Sequence, residues 1–132
     1  MKFNYLIPIV ILATAASFQV TAENNVKYVF KAMDKSLDTQ LCVACANNNL
    51  SKLKRLLRRD ELGAYNVAMN LNCNNQDITN FAAQYYANKT AKYLNKFAPM
   101  KYKVDADNIE IIDLAYNQPL AQSVRVIYVS SK

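Results

Sequence analysis

The sequence predicts an α+β domain in which short αα-hairpins join a small antiparallel sheet built from the N- and C-terminal segments. Two observations indicate this fold class. Apolar and polar residues alternate near residues 26–32 and again over about residues 100–130, and a period of two is typical of half-buried strands. Between them, over about residues 37–97, apolar residues recur at intervals of three and four, as they do in amphipathic helices.

The first 22 residues have the composition of a cleaved signal peptide. Lys2 supplies a positive start, an apolar run covers residues 5–18, and small residues end the segment at 20–22, the three parts that secretory signals share. A membrane anchor is the rival interpretation, but the run is too short for a hydrocarbon core about 30 Å thick. We expect cleavage after Ala22, a periplasmic or secreted location, and one mature domain over residues 23–132.

The mature chain is mildly basic. The full sequence has 16 Lys and Arg against 10 Asp and Glu, a net charge of +6, and loss of Lys2 lowers it to about +5. This charge favours anionic surfaces but is too small to indicate nucleic-acid binding. No second apolar span follows the leader, so we expect no transmembrane segment after cleavage.

The mature chain is predicted to begin with a strand and two helices. Val26, Tyr28, Phe30 and Ala32 alternate with Lys27 and Lys31, which predicts the strand. Asp38 is expected to cap a helix that carries Leu41 and the first two cysteines, and the asparagines at 47–49 end it because Asn tolerates turn geometry. The second helix, LSKLKRLLRR, has an apolar face and a basic one: Leu50, Leu53, Leu56 and Leu57 against Lys52, Lys54, Arg55, Arg58 and Arg59. Gly63 is expected to mark its end.

Three further helices are predicted, the first of them a short one within residues 62–71. Asp77 is expected to cap the next, because apolar residues follow it at helical spacing: Ile78, Phe81, Ala82, Tyr85 and Tyr86. Asn88 then turns the chain into KTAKYLNKF, which ends before Pro99. The segments that start at Ala44 and Ala82 are similar, but their offset of 38 residues exceeds the ankyrin period of about 33, so we interpret them as two αα-hairpins.

The C-terminal part is predicted to form strands. Met100, Tyr102 and Val104 alternate with Lys101 and Lys103. The segments NIEIIDLAY and SVRVIYVS then bracket a turn at residues 117–119 and predict a hairpin-like pair. Together with the strand at residues 26–32, they would form the antiparallel sheet.

The composition excludes most catalytic machinery. The chain has no histidine, which removes the commonest general base, metal ligand and partner of a Ser or Cys nucleophile. Asp105, Asp107, Glu110 and Asp113 fall on predicted turns and strand edges, where solvated carboxylates are the ordinary case. One glycine cannot make a phosphate-binding loop. We therefore expect no enzyme, no catalytic residue and no cofactor.

The three cysteines leave several chemistries to weigh. Cys42 and Cys45 have the spacing of a redox dithiol, but they lie within a predicted helix rather than at its start. A structural zinc site needs four ligands, and three cysteines without histidine do not supply them, so we expect no metal. A disulfide suits an oxidising compartment. Either Cys42–Cys73 or Cys45–Cys73 would stabilise the fold by roughly 3–4 kcal/mol, and the residues alone do not choose between them.

The stretches LCVACANNNLSKLKRLL and NLNCNNQDITNFA resemble a family of small secreted proteins of unknown function from marine gamma-proteobacteria, the domain of unknown function 3718. That family has a Leu-Cys-x-Ala start, a Leu/Lys/Arg-rich segment, and a Cys-Asn-Gly motif before an apolar Phe-Ala helix. The resemblance places its cysteines on Cys42 and Cys73 and its Asn-Gly on Asn74 and Asn75. Cys45 has no counterpart in that family, which favours Cys42–Cys73. The resemblance implies no activity.

Two functions remain as hypotheses. The first is a non-enzymatic binding or structural module, located in the cell envelope or secreted. Its basic helix face would bind lipid headgroups, a polysaccharide or an acidic protein. That face comprises Lys52, Lys54, Arg55, Arg58 and Arg59, and its plainer interpretation is a solvated helix surface. The alternative is a thiol-active periplasmic redox protein that uses Cys42 and Cys45.

Overall fold

The structure, a computed structural model, describes residues 26–59, 63–105 and 123–132. The elements are β1 (Val26–Ala32), α1 (Leu37–Ala46), α2 (Leu50–Leu57), α3 (Gly63–Asn70), β2 (Asn72–Cys73), β3 (Gln76–Asp77), α4 (Ile78–Gln84), α5 (Asn88–Asn95), a 3-10 turn (Met100–Tyr102) and β4 (Ser123–Val129). The mixed α+β class is therefore confirmed. The predicted leader with its cleavage after Ala22, the strand at residues 108–116 and the turn at 117–119 lie outside the described residues.

The two predicted αα-hairpins, α1–α2 and α4–α5, share one turn geometry. Asn48 and Tyr86 both have left-handed backbone, with φ of 55° and 57°. In the first turn the amide of Asn49 donates to the carbonyl of Ala44 at 3.1 Å, and in the second Ala87 donates to Ala82 at 2.9 Å. Each of these positions lies 38 residues before its counterpart, so the sequence similarity corresponds to a repeated structural unit.

The two hairpins are joined through the N-terminus of α5. Ala87, the residue at the capping position, offers no side-chain hydrogen bond. Asn48 of the other hairpin supplies the capping hydrogen bonds instead. Its Oδ1 accepts from the amides of Lys89 at 2.8 Å and Thr90 at 3.2 Å. The Thr90 hydroxyl donates to the carbonyl of Cys45 at 2.7 Å. A helix start needs such acceptors for its free amides, so α2 and α5 begin side by side.

The core lies between the helices and one face of the sheet. Its largest fully buried side chains are Phe81, Leu41, Leu53, Ile78, Leu94 and Val129. Burial of such side chains contributes about 1.5–3 kcal/mol each. Tyr85 joins the sheet to α4, since its ring centroid lies 4.8 Å from that of Phe30 and 5.2 Å from that of Phe81. No described helix is long and apolar enough to cross a bilayer.

The sheet corrects the prediction of an antiparallel pairing. β1 and β4 do pair, as expected for segments from the two ends, but they run parallel, from Val26 opposite Ser123 to Ala32 opposite Val129. Parallel strands need a long crossover connection, and the segment between β1 and β4, with its five described helices, provides one. The prediction placed strands from both ends of the mature chain in one antiparallel sheet, and one of those strands, residues 108–116, lies outside the described residues.

Three local predictions are also corrected. Ser36 rather than Asp38 caps α1, because its side chain accepts from the amide of Thr39 at 3.2 Å. Gly63, with φ of 70°, begins α3 instead of marking the end of α2, which already ends at Leu57. Residues 100–104 form no strand. Val104 instead donates its amide to the Asn95 side chain at 2.9 Å, so the backbone there is paired with α5.

The β2–β3 hairpin holds the C-terminal end of the chain. Its two-residue loop places both Asn74 and Asn75 at positive φ, 49° and 67°, as a type I′ turn requires. The Asn74 side chain donates to the carbonyl of Tyr128 and accepts from the amide of Ser130, each at 2.9 Å. Asn75, where the similar family has glycine, keeps the turn because Asn tolerates left-handed backbone.

We expect Asn74→Gly to lower the free energy of unfolding by about 2 kcal/mol, because it removes two hydrogen bonds. Glycine adopts the positive φ of this position without strain, so the backbone conformation itself is kept. Asn74→Ala should cost about 1 kcal/mol more, since alanine is strained at positive φ. Asn75→Gly is the matched control and should change stability by less than about 0.5 kcal/mol. Urea unfolding measures all three. Equal effects of Asn74→Gly and Asn75→Gly would contradict the role given to the Asn74 side chain.

Candidate functional site

The disulfide joins α1 to the β2–β3 hairpin. Cys42 and Cys73 are bonded, with their Cα atoms 5.7 Å apart and a sequence separation of 31. This is the pair that the family resemblance favours. Both residues are completely buried, so solvent does not reach the bond. Its position fixes the hairpin against the first helix.

Cys45 is a buried free thiol. It is completely buried, and its Sγ lies 3.7 Å from the carbonyl oxygen of Ile78. Burial raises the pKa of the Cys45 thiol to about 12. The thiolate is the reactive form of cysteine, so Cys45 is unreactive near neutral pH in the folded chain. The redox pair Cys42 and Cys45 does not form, because Cys42 is bonded to Cys73.

The described part of the chain offers no metal-ligand cluster. No group of three or more His, Cys, Asp or Glu side chains comes together there. Asp105 is exposed. The other three carboxylates considered, at positions 107, 110 and 113, lie outside the described residues. The polar chemistry that the described residues present is therefore mainly that of exposed cations.

The predicted basic face is divided between α2, which carries Lys52, Lys54 and Arg55, and the turn after it, which carries Arg58 and Arg59. Lys54, Arg55, Arg58 and Arg59 are exposed and Lys52 is half-buried, while Leu53, Leu56 and Leu57 are buried on the opposite side. Within residues 26–59, 63–105 and 123–132, these five side chains form no salt bridge. Asp60 and Glu61, which follow in sequence, lie outside the described residues. The described cations of α2 are thus available to an external anion.

The structure adds lysines of α5 that the sequence prediction missed. Lys89, Lys92 and Lys96 are exposed on the side opposite Ala91 and Leu94. The ammonium of Lys54 lies 5.1 Å from the ring centroid of Tyr93, which places the two basic helices in contact. The spacing of three and four residues between these lysines was visible in the sequence, but no sequence signal placed α5 beside α2.

The two helices thus present one surface, here called the α2–α5 cationic surface: Lys52, Lys54, Arg55, Arg58, Arg59, Lys89, Lys92 and Lys96. It carries no exposed large apolar side chain. The exposed large apolar residues of the described chain lie outside both helices, with Tyr86 in the turn just before α5: Met33, Tyr65, Tyr86, Met100, Val124, Val126 and Tyr128. The surface therefore acts through charge.

One comparison with known proteins identifies a family. The model of a family described as a protein of unknown function, DUF3718, matches residues 41–115, more than half of the chain. The match includes Cys42, Cys73, the second αα-hairpin and the first one from residue 41 of α1 onward. No curated protein and no solved structure matches.

We expect the native protein to show no thiol that reacts rapidly with Ellman's reagent, and one per chain in concentrated guanidinium. Burial and the pKa of about 12 protect Cys45 in the folded state. Cys45→Ala should abolish the signal in guanidinium and leave the disulfide intact. Rapid native labelling, or a mapped peptide that joins Cys45 to another cysteine, would contradict this assignment.

Proposed function

This chain belongs to the DUF3718 family, whose function is unknown, and we propose that it is a non-enzymatic binding module for an anionic partner. The domain is held by Cys42–Cys73. The partner rests on the basic face of α2. The observation that carries this proposal is that five cations, three in α2 and two just after its end, have no salt-bridge partner among the described residues.

Charge of this kind attracts partners more readily than it stabilises a fold. Exposed cations that are close together repel one another, so a helix with several of them and no counter-charge gains little stability from them. An anionic partner removes that repulsion and also raises the rate of association. The absence of histidine from the chain supports a binding role over catalysis.

The compartment is part of the proposal. Disulfides persist outside the cytosol, and the N-terminal 22 residues have the composition of a secretory signal. A periplasmic or secreted module would meet lipid phosphates, acidic polysaccharides and acidic proteins. The thiol-active alternative has less support, because all three cysteines are completely buried and catalytic thiols need access to their substrates.

We expect the oxidised protein to be retained on immobilised heparin, used as a general polyanion, and to elute with salt. The variant Arg55→Glu/Arg58→Glu/Arg59→Glu should elute close to the unretained fraction, because the helix face then carries carboxylates. The matched control, Lys27→Glu/Lys31→Glu/Lys35→Glu, changes three exposed lysines near β1 and has the same net charge. It should elute near the wild type.

Circular dichroism would establish that each variant is folded. Equal losses of retention in the two triple variants would show that retention depends on net charge and not on the α2 face. That result would contradict the proposal. Lack of retention of the wild type at low salt would contradict it as well.

A further inference from the structure

We infer that the α2–α5 cationic surface docks this protein on anionic phospholipid headgroups at a membrane surface. The inference rests on the proposed function and specifies its partner. It depends on how the structure arranges the cations of two helices, on what covers the aromatic ring between them, and on the absence of exposed large apolar side chains from both helices.

The two helices lie side by side and run in the same direction. Asn48, two residues before α2, caps the start of α5. Further along, Lys54 of α2 contacts Tyr93 of α5. The two contacts therefore occur in the same order along both helices, so the helices are parallel. Eight residues of helix extend about 12 Å, and packed helices lie about 8–10 Å apart, so the pair forms a short, broad platform.

The cations extend across this platform in two dimensions. Lys54 of α2 and Arg58, the capping residue at its C-terminal end, are four residues apart and so share a side of the helix. On α5, Lys89 and Lys96 lie four residues before and three residues after Tyr93, so they flank the ring that Lys54 contacts. Neither helix carries an acidic side chain. Cations of both helices therefore lie around one tyrosine.

The aromatic residues of the platform are already engaged. One face of the Tyr93 ring is covered by the Lys54 ammonium, and the ring packs edge-on with Phe97 at a centroid distance of 5.4 Å. A polysaccharide or single-stranded nucleic acid gains from stacking on open aromatic faces, and this ring offers little of its surface. A partner that binds through charge alone fits the platform better.

A layer of phosphate headgroups is such a partner. It is planar, its charges extend in two dimensions, and it needs no groove. Because no large apolar side chain is exposed on α2 or α5, the contact stays at headgroup level and does not enter the hydrocarbon. Each Lys or Arg near an anionic bilayer strengthens binding about five-fold, and salt weakens the attraction within a Debye length of about 10 Å at 0.1 M.

The test is cosedimentation of the full oxidised protein with phospholipid vesicles. Vesicles of equal parts phosphatidylglycerol and phosphatidylcholine should bind the protein at low salt and release it at about 0.5 M salt. Vesicles of phosphatidylcholine alone should not bind it. Lys89→Gln/Lys96→Gln should lower the partition coefficient about 25-fold, five-fold for each cation removed.

The matched control is Lys27→Gln/Lys31→Gln, which removes two exposed lysines of β1 and should lower the partition coefficient less than about three-fold. All four substituted side chains are exposed, and thermal unfolding would verify the fold of both variants. Equal losses in the two variants would overturn the inference, because binding would then follow net charge.

The result on heparin separates this inference from the proposed function. Retention on heparin through α2 without binding to anionic vesicles would overturn the lipid inference. The proposal of an anionic partner would remain. If Lys89→Gln/Lys96→Gln weakens retention on heparin but the protein binds no vesicle, the lipid inference is likewise overturned. The partner would then be a soluble polyanion. Failure on both heparin and vesicles would overturn both.

Discussion

The covalent bond between Cys42 and Cys73 is the constraint on which the rest of the domain depends. Cys73 is the last residue of β2, and three separate parts of the chain are ordered around it. α1 is attached through the disulfide, α4 begins one residue after β3 with Asp77 as its cap, and the C-terminal residues are held by Asn74. A small domain buries a limited core, and here one bonded hairpin organises both the helices and the sheet.

The arrangement of the two αα-hairpins determines the surface that the protein offers to a partner. Asn48 belongs to the turn of the first hairpin but satisfies the helix start of the second. This contact puts α2 beside α5 and joins two rows of cations that are at least thirty residues apart in sequence. The charged surface is therefore a product of packing between the hairpins, and neither hairpin would present it alone.

Local signals in the sequence were sufficient for much of this fold. Asp77 does cap α4, the leucines of α2 do face the core, and the Asn74–Asn75 turn has the backbone that the similar family's Asn-Gly implies. The strand direction was not predictable in this way, because parallel and antiparallel pairs have the same alternation of side chains. The contribution of α5 was missed for a related reason, since the spacing of Lys89 and Lys96 reveals a helix face but not its neighbour. Both errors concern contacts between distant segments.

The parallel pairing of β1 with β4 has a consequence for how the domain is made. Val26 pairs with Ser123 and Ala32 with Val129, so the sheet joins the first described strand to the last. The chain must supply residue 129 before the sheet can close, and such long-range closure slows folding. The hairpin that carries Cys73 receives its C-terminal partners, Tyr128 and Ser130, at the same late moment. Both the sheet and the disulfide-bonded hairpin are therefore completed only after all five described helices have been synthesised.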